Sequence, residues 1–120
     1  MIELMQGLPE NVVGATAHGR VTRADYDKVL IPTIEAKLKA HEKIGCLYHL
    51  AEDFEAYDAG AMLEDAKVGL AHLTAWRKIA VVTDVHWMRD MVKAMSFLVP
   101  CPVKLFPLAE LEDAKKWVAD

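Results

Sequence analysis

The stretch from Arg77 to Phe106 most constrains what this chain can fold into. Lys78-Ile-Ala-Val-Val-Thr-Asp84 is a short, almost unbroken apolar run that stops on an aspartate, which reads as a strand buried on both faces. Val85 to Val99 follows with helical periodicity. Pro102-Val-Lys-Leu-Phe106 reads as a second strand, and Leu108 to Val118 as an acidic-to-basic helix. Strand, helix, strand and helix in such close succession require a parallel sheet with crossover helices.

The preceding residues extend that pattern. Met1 to Met5 reads as an edge strand. The turn cluster Gly7-Leu-Pro-Glu-Asn11 leads into a strand from Val12 to Arg20, so the two should form an antiparallel hairpin. Val13, Ala15 and Ala17 share one face of that strand, and residues this small allow a helix to approach closely. Thr22 is a candidate N-cap with Asp25 placed to complete a capping box. The helix it opens runs to about His41, with Tyr26, Leu30, Ile34 and Lys37 on one side. Pro32 inside it predicts a bend or a break. Lys43 to Ala51 is the next strand. Ile44, Cys46, Tyr48 and Leu50 lie on one face, and Leu47, His49 and Ala51 on the other. Asp58 can cap a helix from Ala59 to about Ala75, whose expected core stripe is Met62, Leu63, Ala66, Leu70 and Leu73. The expected fold is therefore α/β, a single domain over residues 1–120: a mostly parallel sheet with an antiparallel N-terminal strand and about four flanking helices.

Composition narrows the function. The apolar fraction of 53% in 120 residues suits one packed core and argues against disorder. A net charge of −4 gives no electrostatic basis for binding nucleic acid, despite the neighbouring Lys37, Lys39 and Lys43. No apolar run is long enough to span a bilayer, and Met1-Ile-Glu-Leu-Met-Gln-Gly lacks the plan of a signal peptide. Cys46 and Cys101 are framed neither as a disulfide nor as a metal clip, so reduced thiols in a cytoplasmic protein are expected.

In open α/β sheets ligands gather beyond the carboxyl ends of the strands, here Glu52-Asp53-Phe54 and Thr83-Asp84-Val85-His86-Trp87. Asp53, Asp84 and His86 are the acid–base candidates there. No nucleophile accompanies them, and Asp84 has a sufficient role as the cap of the helix at Val85. The five histidines show no HxH or HxxxH spacing, so no metal is expected. The Val85–Val99 helix is less ordinary. Met88, Met91, Val92, Met95 and Val99 form one stripe, and Trp87, Ala94 and Leu98 a second beside it. That arc exceeds what a helix flanking a sheet needs, and methionines suit a surface that adapts to varied apolar shapes.

Gly19-Arg-Val-Thr-Arg-Ala-Asp-Tyr26, Leu30-Ile-Pro32, Asp65, Arg77-Lys-Ile-Ala-Val-Val-Thr-Asp84, Trp87, Phe106 and the ending Glu112-Asp-Ala-Lys-Lys-Trp117 together resemble the bacterial SpoIIAA-like proteins, in the STAS and CRAL-TRIO-related group. The resemblance covers nearly the whole chain. It implies a five-stranded, mostly parallel sheet with four principal helices, arranged as a βα superhelix. It also implies two functions. One is a regulatory module switched by phosphorylation of a serine at the start of the helix after the third strand. Here that segment is Tyr57-Asp-Ala-Gly-Ala61, with no serine or threonine. The other follows the lipid-carrying relatives, with an apolar pocket beneath movable helices.

The leading expectation is a non-enzymatic protein that binds a small apolar ligand, such as a fatty-acyl chain or lipid, without a cofactor. Phe54, Tyr57, Met62, Trp87, Met88 and Met91 are the expected pocket residues, between the Ala59–Ala75 and Val85–Val99 helices. The alternative is a regulatory interaction module that presents its surplus apolar surface to a protein partner, to a membrane transiently, or to a second copy in a homodimer.

Overall fold

The structure, a computed structural model, describes residues 1–120. Five strands form one sheet: β1 (Ile2–Leu4), β2 (Val12–Ala17), β4 (Ile44–Leu50), β6 (Trp76–Val82) and β7 (Val103–Phe106), in the order β1-β2-β4-β6-β7. β1 pairs antiparallel with β2, as the short turn between them requires, and the other pairs are parallel. A second, two-stranded sheet joins β3 (Arg20–Val21) to β5 (Ala56–Tyr57). The turn at Gly19, with φ of 55°, lets the chain leave β2 for β3.

Four helices complete the fold. α1 is one helical run over residues 23–40, built from Arg23–Asp25, Tyr26–Leu30 and Ile31–Ala40. Thr22 opens it with both halves of a capping box: its hydroxyl accepts from Asp25 N–H, and the Asp25 carboxylate accepts from Thr22 N–H. The run does not break at Pro32. The turn before it widens instead, so that Ile31 N–H reaches back to the Tyr26 carbonyl, and the π-type segment Tyr26–Leu30 accommodates the proline ring. α2 spans Ala59–Ala71, four residues shorter than the periodicity suggests, and is capped by Asp58, whose Oδ1 accepts from Ala61 N–H at 2.7 Å. α3 spans His86–Met95 and passes into a 3-10 turn at Ser96–Leu98. α4 is Leu111–Ala119, entered through the 3-10 turn Leu108–Glu110.

The sheet has two unlike sides. On one, Val12, Leu47, Ala80, Val82 and Phe106 pack with Ala114 and Val118 of α4. On the other lie α1, α2 and α3, over a core that includes Val13, Ala15, Tyr26, Leu30, Ile34, Val81 and Met88. The strand registers align Val13, Cys46, Ile79 and Val103 in one row across this second side, and Ala15, Tyr48, Val81 and Leu105 in the next.

α2 departs from the sequence expectation. Its buried residues are Ala61 and Glu64, whereas Met62, Leu63 and Leu70 of the expected core stripe are 50%, 52% and 71% exposed. The physical reason is its docking partner. α2 lies against the start of α1 and against β5 more than on the sheet. A side chain at Gly60 would run into Arg23, and Glu64 sits 3.6 Å from the Arg23 guanidinium and 3.5 Å from Lys67. A close approach to a polar helix selects the small and acidic face and turns the leucines outward.

Candidate functional site

The carboxyl ends of the parallel strands gather an aromatic group. Phe54 and Tyr57, from the loop and short strand after β4, stack at 5.1 Å between ring centroids. Trp87, in the first turn of α3, lies 6.5 Å from Phe54 and 6.4 Å from Tyr57. Rings at these separations and tilts attract edge to face. Trp87 keeps 45% of its surface exposed, so the group is open on one side. Met88 is buried in the helix-side core, and Met91 is packed against it. Of the six residues the sequence nominates, these five therefore lie in or beside one region. Met62 belongs to the outward stripe of α2 and is not among the side chains packed on that core.

Tyr57 also joins the aromatic group to a polar one. Its ring lies 6.5 Å from both Tyr26 and Tyr48. The Tyr26 hydroxyl donates to Asp65 Oδ1 at 2.9 Å and lies 3.0 Å from the Tyr48 hydroxyl, which can donate to it in turn. Burial raises the pKa of the Asp65 carboxyl, and the Tyr26 hydrogen bond opposes that shift only in part. Burial also raises Tyr26, Tyr48 and Tyr57, with the nearby Asp65 charge adding to it, so all three phenols stay neutral donors. Cys46, one register step from Tyr48 on the same face, is pushed up to about 12 by burial, with Asp65 and Cys101 contributing. It is therefore an unreactive thiol. Asp65 has no cationic partner, since Arg23 and Lys67 both engage Glu64. Asp65 itself is exposed, and Cys46, Tyr48, Tyr57 and Ile79 keep part of their surface although β4 is the central strand. Together these features leave the middle of the sheet incompletely covered, between an aromatic end and a polar wall.

Sequence reasoning placed Asp65 only by resemblance and did not assign it to a site. The misread stripe of α2 pointed it away from the core. The available signal was the pairing of an inward-facing tyrosine on a central strand with a carboxylate one turn from the small residues of the next helix.

The acid–base candidates do not converge. Asp53 Oδ1 lies 2.9 Å from His18 Nδ1, while Glu3 takes the other ring nitrogen at 3.0 Å. His86 is exposed at the first turn of α3. Asp84 does not cap α3: the N-cap is Val85, which has no capping side chain, and Thr83 Oγ1 accepts from Val85 N–H instead. Asp84 Oδ1 accepts from Leu108 N–H at 3.1 Å, so it ties the end of β6 to the turn that enters α4. No three His, Cys, Asp or Glu side chains are grouped to hold a metal ion. Two surface depressions border β1. One, of about 450 Å³, is lined by Leu4, Val29, Pro32 and Ala36 among others, and neither reaches the aromatic group. No helix is long and apolar enough to cross a membrane.

The SpoIIAA-like family model matches residues 12–119. No curated protein matches the sequence. The crystal structure, at 2.25 Å resolution, of an uncharacterized protein of the DUF3478 family with a SpoIIAA-like fold, from Shewanella loihica PV-4, aligns with a TM-score of 0.77. The alignment covers 98% of this chain and 92% of that one at 20% sequence identity, a likeness of fold.

Proposed function

This chain belongs to the SpoIIAA-like family, and from that premise we propose that it binds a small apolar ligand, without catalysis, on the incompletely covered surface between α2, α3 and the sheet. One observation carries the reading: the central strand is incompletely covered. Side chains in the middle of a sheet flanked by helices are normally sealed. Here Tyr48 and Cys46 retain partial exposure, on the side of the sheet that carries Phe54, Tyr57 and the half-exposed Trp87. Filling that gap with an acyl chain or a comparable apolar body would remove aromatic and aliphatic surface from water, worth roughly 25 cal/mol per Å². Native mass spectrometry of freshly purified protein should then retain a lipid-sized mass. Tryptophan emission should shift on titration with apolar ligands, and Trp87→Phe should remove the shift while Trp76 and Trp117 supply the background. An unchanged spectrum across a saturating panel of lipids would count against this reading.

A second reading, a regulatory module that meets a protein partner or a second copy of itself, is favoured by a different observation. Leu70 at 71%, Phe97 at 80%, Leu98 at 53% and Met95 at 52% exposure leave large apolar side chains in water on α2 and around the end of α3. The start of α2 carries no hydroxyl other than Tyr57, so such a module would work without the serine switch. Light scattering across a wide concentration range separates the two: a stable dimer or larger complex with no retained ligand favours this reading.

A further inference from the structure

The charges of this chain are sorted along the strand direction. Each helix that follows a parallel strand starts at the carboxyl edge of the sheet and ends at the amino edge, because it must return the chain for the next strand. The connections at the carboxyl edge carry Glu52, Asp53, Glu55, Asp58, Asp84 and Glu110. The amino edge is basic instead. Lys37 and Lys39 lie in the last turn of α1, Lys93 in the last turn of α3 and Lys116 in the last turn of α4. Lys43 immediately precedes β4. Burial raises the Cys101 thiol and the Lys43 charge opposes that shift, which places the ammonium near the connection from α3 to β7. No ion pair engages Lys39, Lys43 or Lys93. The net charge of −4 therefore conceals a positive edge.

The two most exposed large apolar side chains, Phe97 and Leu70, share that edge. Met95 ends α3, and Phe97 and Leu98 belong to the 3-10 turn after it, at 52%, 80% and 53% exposure. Leu70 stands in the last turn of α2. The two surface depressions border β1, so neither seats a peptide here. A two-fold dimer through this edge would bring like charges together. Apolar side chains at a turn among lysines instead match the interface of a bilayer. There hydrocarbon enters the headgroup layer while ammonium groups meet lipid phosphates.

We infer that the amino edge of the sheet docks on an anionic lipid bilayer, with Met95, Phe97 and Leu98 in the headgroup layer and Lys39, Lys43 and Lys93 against the lipid phosphates. The protein lies on that surface and does not span it, since no helix is long and apolar enough to cross. The inference rests on the exposed apolar face of the interaction-module reading and gives that face its occupant. It is independent of the apolar-ligand reading, whose aromatic group gathers at the opposite edge.

The test is co-sedimentation of the full chain with vesicles of phosphatidylcholine alone and of phosphatidylcholine mixed with phosphatidylglycerol, at low and at physiological salt. The mixed vesicles should bind the protein more tightly than the neutral ones, and added salt should weaken that binding. Lys43→Gln and Lys93→Gln should each weaken it about fivefold. Lys28→Gln, which removes an exposed charge from the other half of α1, should leave it unchanged. Phe97→Ser should weaken binding at both salt concentrations. Phe97→Trp should add tryptophan emission that lipids brominated in the acyl chain quench. All four positions are exposed, so the variants should keep the melting temperature of the unaltered protein. Equal binding to neutral and anionic vesicles, a loss in Lys28→Gln as large as in Lys93→Gln, or no quenching in Phe97→Trp overturns the inference. A stable dimer by light scattering that binds no vesicle also overturns it and leaves the interaction-module reading standing.

Discussion

On one side of the sheet a single helix, α4, covers Val12, Leu47, Ala80 and Val82, and none of the four is more than 2% exposed. On the other side three helices leave Cys46, Tyr48 and Ile79 partly open. The number of helices therefore does not decide how well a sheet is sealed. What decides is which stripe each helix turns inward. α4 lays Ala114 and Val118 on the sheet, and its end is held by Arg77 and Lys78, which donate to the Val118 and Trp117 carbonyls. α2 spends its inner face on Ala61, Glu64 and Asp65 against α1 and turns its larger apolar residues to water. The sealed side supplies stability. The half-open side gives up part of its apolar burial.

Leu47 and Ile79 measure that difference directly, because both sit mid-strand on neighbouring central strands and lose the same number of carbons on truncation. Leu47→Ala should cost about 2–5 kcal/mol, the range for a fully buried leucine. Ile79→Ala, on the half-open side, should cost measurably less, in proportion to the smaller share of its surface that is buried. Urea unfolding of the two variants gives both values. Equal costs would mean that the two sides are packed alike and that the comparison is wrong.

Within the half-open side, the polar wall should matter more than its openness suggests. Tyr26→Phe keeps the ring that is 1% exposed but removes the hydroxyl shared by Asp65 and Tyr48. Two polar groups then lose their partner at once, at a cost of roughly 1–3 kcal/mol. Thermal melts at neutral pH should show it. A loss no larger than that of a solvent-exposed Tyr→Phe change would mean that water replaces the bond freely.

Asp65→Asn should act in the opposite direction. Burial raises the native pKa of Asp65, so the native state holds the proton more tightly than the unfolded chain does. Stability therefore falls as pH rises from the ordinary aspartate range, about 4, toward the raised native value, and that loss persists at neutral pH. Asparagine keeps an acceptor for Tyr26 and carries no charge. The variant should melt higher than the unaltered protein at neutral pH and lose that advantage in acid below the ordinary aspartate range. A variant that melts lower at neutral pH would show that the carboxylate is already matched by a cation in the free protein.

The sheet was legible because its signals are local. An apolar run that ends on Asp84, the alternation of Ile44 to Leu50 and the turn at Gly7-Leu-Pro each specify a strand or hairpin without knowledge of the rest. The Thr22 capping box and the Asp58 cap were legible for the same reason. Asp84 was misassigned because an aspartate just before a helix fits a cap on spacing alone, whereas its partner, Leu108 N–H, comes from the next strand–helix connection and is set by tertiary packing. The candidate site was half legible. Phe54, Tyr57, Trp87, Met88 and Met91 follow from their place at strand ends and helix starts, but Tyr26, Tyr48 and Asp65 come from three elements whose meeting depends on how α2 docks.

The smallest predicted effect tests that docking. Periodicity places Leu70 on the core stripe of α2, and a leucine there would cost about 2–5 kcal/mol to truncate. The structure leaves it 71% exposed, where a polar substitution should change stability by no more than about 0.5 kcal/mol. Leu70→Gln, which preserves helix propensity and length, isolates burial from backbone effects. Val68→Gln, two residues earlier and packed against the helix-side core, provides the positive control on the same helix and should be clearly destabilising. Urea midpoints for the two variants then report which face of α2 turns inward in solution. If Leu70→Gln were the more damaging change, α2 would lie with its leucines on the sheet, the surface over Tyr48 and Cys46 would be closed, and the two sides of the sheet would no longer differ.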